Sequence, residues 1–179
     1  LTGGLHFYQH VSELGISYTD LPTVGNPTAA MYCTENTMYK DAQYKTYASA
    51  IAFEGIITPA AGRYYATGSV EGTPPGDYAS GHLWYFDGFF YADLTALNKV
   101  KGLSLSEDPA ASNYYGKFGV KKYVNAHCYY TYYIRHYNNN NPQEMGVMEF
   151  AMVRNNDYEV TVQKIVSLGQ DTPNVPVEE

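Results

Sequence analysis

Residues 120–137 alternate between two kinds of side chain, a pattern that a strand satisfies and a helix does not. One set is Val120, Val124, Ala126, Cys128, Tyr130, Tyr132 and Ile134. The other is Lys121, Tyr123, Asn125, His127, Tyr129, Thr131, Tyr133 and Arg135. Successive strand side chains point to opposite faces, so the first set is predicted to face a core and the second to be half wet. The stretch exceeds the roughly 3–10 residues of an ordinary strand. It is therefore expected to bend, to carry a bulge or to serve two sheets.

The same period recurs elsewhere. Residues 45–58 set Tyr47, Ile51, Phe53 and Ile57 against Thr46, Ala48, Ala50 and Glu54. Residues 158–168 set Tyr158, Val160, Val162, Val166 and Leu168 against Glu159, Thr161, Gln163 and Ser167. Ile134 and Val162 are predicted to be buried. Asp87-Gly88, between two apolar runs at 83–86 and 89–91, predicts a tight hairpin, because both central residues need positive φ. Residues 63–70 read as a weaker strand, 5–11 are ambiguous, and 145–154 are undecided between helix and strand. One helix is predicted at 94–101, capped by Asp93 and stopped by Gly102. Asp108-Pro109 predicts one further turn. No repeat of solenoid or propeller length is visible. The expectation is an all-β chain with one or two short helices, a β-sandwich forming one domain over residues 1–169. Residues 170–179, with Pro173 and Pro176, read as an extended linker.

Composition narrows the function. Charged residues are 16%, against about 25% in soluble domains, and there are 20 Tyr. A Tyr-rich, charge-poor chain suits pleated surfaces and extracellular contacts. The net charge of −7 leaves no basic patch for phosphates, so no nucleic-acid partner is expected. No transmembrane helix is expected, because no apolar run approaches the ~18 residues one needs. The start lacks a Met and a signal-like segment, so either a targeting segment has been removed or the chain is a fragment. Cys33 and Cys128 form no metal-binding spacing and are either paired or two core thiols.

Candidate chemistry is thin. His6 and His10 have helical zinc spacing, but Phe7-Tyr8 favours a strand, where the rings would lie about 13 Å apart at ~3.3 Å per residue. His127 and His136 fall on opposite faces, and His82 sits among aromatics. The carboxylates are scattered, and there is no Gly-x-Ser-x-Gly, P-loop or GxGxxG pattern. The run 138–141 lacks the acidic ligands of a calcium loop. No catalytic residue, metal site or cofactor is expected, and the chain does not read as an enzyme. Tyr123, Tyr129 and Tyr133 read as a cross-strand ladder in preference to a sugar-binding row.

Residues 128–139, Cys-Tyr-Tyr-Thr-Tyr-Tyr-Ile-Arg-His-Tyr-Asn-Asn, resemble the signature strand of fimbrillins of the protease-processed (type V) pili of Bacteroidales. Residues 145–158 continue that pattern, and so does the run at 32–37. The signature positions are Tyr130, Tyr132, Ile134, Arg135, His136, Arg154 and Asn155. The resemblance is closest to the C-terminal domain of minor-fimbrium shaft subunits. It implies a transthyretin-like β-sandwich and a lipoprotein precursor exported through the periplasm to the outer membrane. It also implies a pilus in which a protease removes one strand and another subunit supplies a replacement. The implied partners are other pilin subunits joined by β-strand addition, with host proteins or glycans as adhesion targets. It further implies that this stretch ends in the linker before the donor strand, and that Cys33 and Cys128 lie close together. The rival expectation is a glycan- or host-binding adhesin module on the same sandwich, marked by exposed Tyr and Trp84 around one groove.

Overall fold

The structure, a computed structural model, describes residues 5–8, 19–20, 35–37, 48–141, 144–160, 162 and 164–173. Its strands are β1 (Leu5–Tyr8), β2 (Thr19–Asp20), β3 (Ala50–Ile56), β4 (Tyr64–Tyr65), β5 (Leu83–Phe86), β6 (Phe89–Tyr91), β7 (Lys121–Tyr123) and β8 (His127–Tyr133); the helix α1 is Leu94–Lys101. They form two four-stranded sheets, ordered β2-β1-β3-β8 and β4-β6-β5-β7. The fold is all-β with a short helix, as the alternation required. The chain divides into two compact units, one built on residues 55–128 and the other on residues 2–54 with 129–179.

The 55–128 unit follows its local signals closely. Asp87 (φ 51°) and Gly88 (φ 78°) make the two-residue turn, and β5 and β6 pair with Trp84 opposite Tyr91 and Tyr85 opposite Phe90. The Asp93 carboxylate accepts from the Ala96 N–H at 2.6 Å, and Gly102 (φ 64°) ends α1 in the left-handed region that glycine adopts without strain. Helical spacing turns Leu94 and Leu97 inward onto Trp84, Tyr91, Leu105 and Val120. Asn98 locks the following loop, donating to the Leu105 carbonyl and accepting from its N–H, both at 2.9 Å. The weak strand at 63–70 shrinks to Tyr64–Tyr65, and the turn expected at Asp108 is followed by a 3₁₀ turn at Tyr115–Phe118.

The long alternating stretch is divided between the two sheets. β7 belongs to one and β8 to the other, and the 3₁₀ turn Val124–Ala126 separates them. Asn125 (φ 49°) and Ala126 (φ 62°) are both left-handed there, a conformation costing about 1–2 kcal/mol per ordinary residue. Two bonds hold the break: the Asn125 N–H donates to His82 Nδ1 at 3.0 Å, and the Ile57 N–H donates to the Ala126 carbonyl at 2.8 Å. The break resets the faces and corrects the sequence reading. Tyr123, assigned to the wet face, is fully buried, and Val124, assigned to the core, is 52% exposed. Tyr123 therefore shares no row with Tyr129 and Tyr133.

In the other unit β3 is an inner strand, and the consecutive residues Ile51 and Ala52 are both buried. β1 pairs antiparallel with it, Leu5 opposite Phe53 and Phe7 opposite Ile51, which settles the ambiguous segment at 5–11 as a strand over its first four residues. Bonds from Ile57 N to Ala126 O and from Ile134 N to Ser49 O fit one antiparallel register, placing Tyr130 beside Phe53 and Tyr132 beside Ile51. Ile134, Ile51 and Met152 form a core cluster with Phe53, Tyr158 and Val160 packed against it. Residues 158–168 depart from expectation: none of those described is in a strand, and Val162 is 51% exposed rather than buried. Alternation prepares a segment for a ladder, but burial follows only when another strand and layer cover it.

Tyr91 allows a test of the first core. Its side chain is fully buried, and its hydroxyl has no hydrogen-bond partner among the described residues. Burial first, then Tyr65 and Asp87, pushes its pKa up to about 12. A folded pKa above the unfolded value near 10 means that the unfolded chain loses its proton first as pH rises. Stability should therefore be intact below about pH 10 and fall as pH climbs toward 12. Chemical denaturation of the wild type and Tyr91→Phe across pH 8–12 checks this, with the slope attributable to Tyr91 absent in the variant.

Candidate functional site

β8 ends its sheet. In an antiparallel ladder, backbone groups alternate between the two sides of a strand. Ile134 bonds inward to Ser49, so the N–H and C=O of Tyr129, Thr131 and Tyr133 face outward. Tyr129 exchanges both bonds with Gln170, each 2.8 Å, and the Thr131 hydroxyl donates to the Pro173 carbonyl at 3.4 Å. Among the described residues no main-chain group pairs with the outward backbone of Thr131 or Tyr133.

The other sheet ends differ. β7 is three residues long and carries Lys121 and Lys122, β2 is two residues, and β4 is two residues with its Tyr64 carbonyl taken by the Gly76 N–H at 2.7 Å. Short strands and lysines are how sheets discourage edge pairing. β8, seven residues long and rich in Tyr, has neither protection.

Beside this edge lies a groove of about 340 Å³ lined by Phe53, Tyr130, Thr131, Tyr132, Glu159, Val160 and Val162. Three consecutive residues of β8 line it, so the backbone edge is part of its wall. The groove explains Tyr132, which was predicted to be buried and is 49% exposed: its face is apolar, but nothing in the described structure covers it. Val162 is open for the same reason.

The remaining signature residues fasten the layer opposite the sheet. The buried Glu149 carbonyl accepts from the N–H groups of His136 at 2.8 Å and Tyr137 at 3.3 Å. Its carboxylate accepts from the Gly146 N–H at 2.7 Å, and its other oxygen is ion-paired with Arg135 Nε at 3.2 Å without hydrogen-bond alignment. Arg135 also lies 5.0 Å over the Phe150 ring. His136 Nδ1 and the Tyr158 hydroxyl are 2.8 Å apart, and that hydroxyl accepts from the Val153 N–H at 3.1 Å. Arg154 holds Glu35 with Nε and Nη2 at 3.2 and 2.9 Å, which raises the Arg154 pKa. Asn155 (φ 59°) forms the adjoining turn. Asn36 and Met152 exchange main-chain bonds at 2.9 and 2.8 Å.

These residues act as fasteners, tying side chains to backbone and to one another. Among the described residues no group of three or more His, Cys, Asp or Glu could hold a metal ion. Cys128 is buried, while Cys33 and His10 lie outside the described residues. Trp84 is 2% exposed in the core of the 55–128 unit, so it lines no exposed aromatic row. Sequence reasoning placed Phe53 and Val160 on inward faces without bringing them together, and it named Glu159 only as an outward neighbour of Val160.

The class defined so far is an all-β protein whose distinguishing feature is an open strand edge over an apolar groove. Residues 121–179 match the family model described as major fimbrial subunit protein type IV, fimbrillin, C-terminal. The match begins at β7 and takes in β8, all the signature residues and most of the groove lining, so this part of the chain is similar to the C-terminal part of fimbrillins. No curated protein and no solved structure matches the chain.

Two substitutions separate the covered and uncovered parts of one strand face. Ile134→Ala should cost about 2–5 kcal/mol, the range for a buried large-to-small change. Tyr132→Ala should cost under about 1 kcal/mol, because half of that side chain is already in water. Urea denaturation of both variants measures the difference. Glu149→Ala should cost about 1–3 kcal/mol by orphaning the Gly146 N–H and leaving Arg135 without its ion-pair partner. The same assay checks it.

Proposed function

We propose that this chain is a structural subunit of a cell-surface fimbrium and that β8 with its groove receives an extended strand from a neighbouring subunit. The observation carrying this reading is that, among the described residues, no main-chain group pairs with the outward backbone of Thr131 and Tyr133 and none covers the apolar groove beside it, in the part of the chain that resembles fimbrillins. An added strand satisfies both deficits, because its backbone extends the ladder and its alternate side chains enter the groove.

The energetic balance favours side-chain burial as the deciding term. Each main-chain bond nets about 0.5–1.5 kcal/mol, and ordering each added residue costs about 1–2 kcal/mol. These roughly cancel, so apolar side chains at about 1.5–3 kcal/mol each must supply the surplus. Within this reading, donor-strand exchange after proteolysis, lipoprotein export and an outer-membrane position are the family's route to the same assembly. The adhesin alternative draws on the exposed Tyr132 and Tyr137, but Trp84 is not available to it.

The test adds a capped peptide alternating Val with Thr to the full chain and follows melting temperature and amide exchange. Binding should raise the melting temperature, by about 2–4 °C per kcal/mol for a chain of this size, and slow exchange at the Thr131 and Tyr133 amides. Thr131→Pro removes one outward N–H at an edge where proline is tolerated, and it should abolish both effects. Unchanged melting and exchange with every such peptide would overturn the reading.

A further inference from the structure

Glu159 is the one charged residue lining the groove, and its side chain is exposed among aromatic and aliphatic neighbours. Four other carboxylates have a described cation: Asp87 with Lys101, Glu107 with Lys122, Glu149 with Arg135, and Glu35 with Arg154. No described Lys or Arg forms an ion pair with Glu159. The chain as a whole carries −7, so its surroundings add to the negative potential and do not cancel it.

Beside the groove, the β8 edge offers the outward N–H and C=O groups of Thr131 and Tyr133 at strand spacing. Such a row suits another backbone better than a small molecule, which needs a few convergent polar groups. A strand laid against β8 passes Glu159 once. A side chain that reaches an exposed carboxylate is attracted if it is cationic and repelled if it is anionic. The walls already hold three aromatic rings, so branched aliphatic side chains suit the space between them.

We propose that the strand received by this groove belongs to a separate polypeptide that carries a lysine or arginine at the position passing Glu159 and aliphatic residues at alternate positions. This rests on the strand-accepting reading above and adds to it the sign of the partner's charge. The partner is thus selected against acidic strands, including ones with the same apolar pattern.

The experiment uses the full chain and a set of capped nine-residue peptides alternating Val with Thr. One Thr position at a time is replaced by Lys, Gln or Glu, and affinity is measured by calorimetry at low and high salt. One Lys position should bind about two- to fivefold tighter than its Gln twin at low salt, the range for an exposed ion pair, and its Glu twin should bind weaker than Gln. The difference should shrink in 0.5 M NaCl as screening shortens the reach of the charges. Glu159→Lys, an exposed change whose fold is checked by circular dichroism, should reverse the order. Equal binding of Lys, Gln and Glu peptides at every position would overturn the charge assignment while leaving strand acceptance standing. Failure of every peptide to bind would overturn both. An order that persists in Glu159→Lys would also sink the proposal.

Discussion

A single alternating stretch, 121–133, has to serve two sheets, and the rest of the described architecture follows from how it does so. A continuous strand keeps one face inward throughout. Here Tyr123 is inward in one sheet, and Ala126 and Cys128 are inward after the break, so the backbone must gain half a period between them. Two left-handed residues provide that gain. Asn125 is of a type that tolerates the conformation, but Ala126 is not, so the strain persists only because the surroundings over-determine it. His82 and Ile57 supply the bonds that hold the break.

Once β8 is committed to the second sheet, its position there creates the open edge. β3 lies on one side of it; on the other Tyr129 pairs with Gln170, and among the described residues no main-chain group pairs with Thr131 or Tyr133. The contrast with β7, which comes from the same stretch, is instructive. β7 is short and bears two lysines, both engaged elsewhere or half-buried, whereas β8 presents tyrosines. Tyrosine gives an uncovered face a large apolar body while its hydroxyl keeps contact with water or a carbonyl, as Tyr130 does with Ser167 at 3.1 Å. A face of leucines in the same place would expose apolar surface with no such compensation.

The signature residues that follow β8 solve a different problem. The layer over the sheet, built from 144–160, contains little regular structure and cannot rely on a ladder to hold its shape. It is held by side-chain-to-backbone and ion-pair contacts around Glu149, His136–Tyr158 and Arg154–Glu35. A buried carboxylate is a costly anchor, yet it fixes one geometry because leaving it unpaired costs more. The result is a core of Ile51, Ile134 and Met152 against which two groove-lining residues, Phe53 and Val160, pack.

The sequence by itself determined what depends on neighbours a few residues away. The Asp87-Gly88 turn, the Asp93 and Gly102 caps, the inward Leu94 and Leu97, the strand character of β3 and β8 and the burial of Ile134 were all legible from local geometry and period. It also gave the long stretch too much length for one strand. It did not locate the break, because no glycine or proline marks 124–126, and Ala126 accepts its strained φ only through distant Ile57 and its neighbour's bond to His82. Tertiary structure alone decided which alternating faces were covered. Val160 and Val162 have the same side chain and the same parity, yet one packs against Ile51, Ile134 and Met152 while the other stands open. Alternation specifies the direction in which a side chain points, whereas burial depends on whether another layer arrives there.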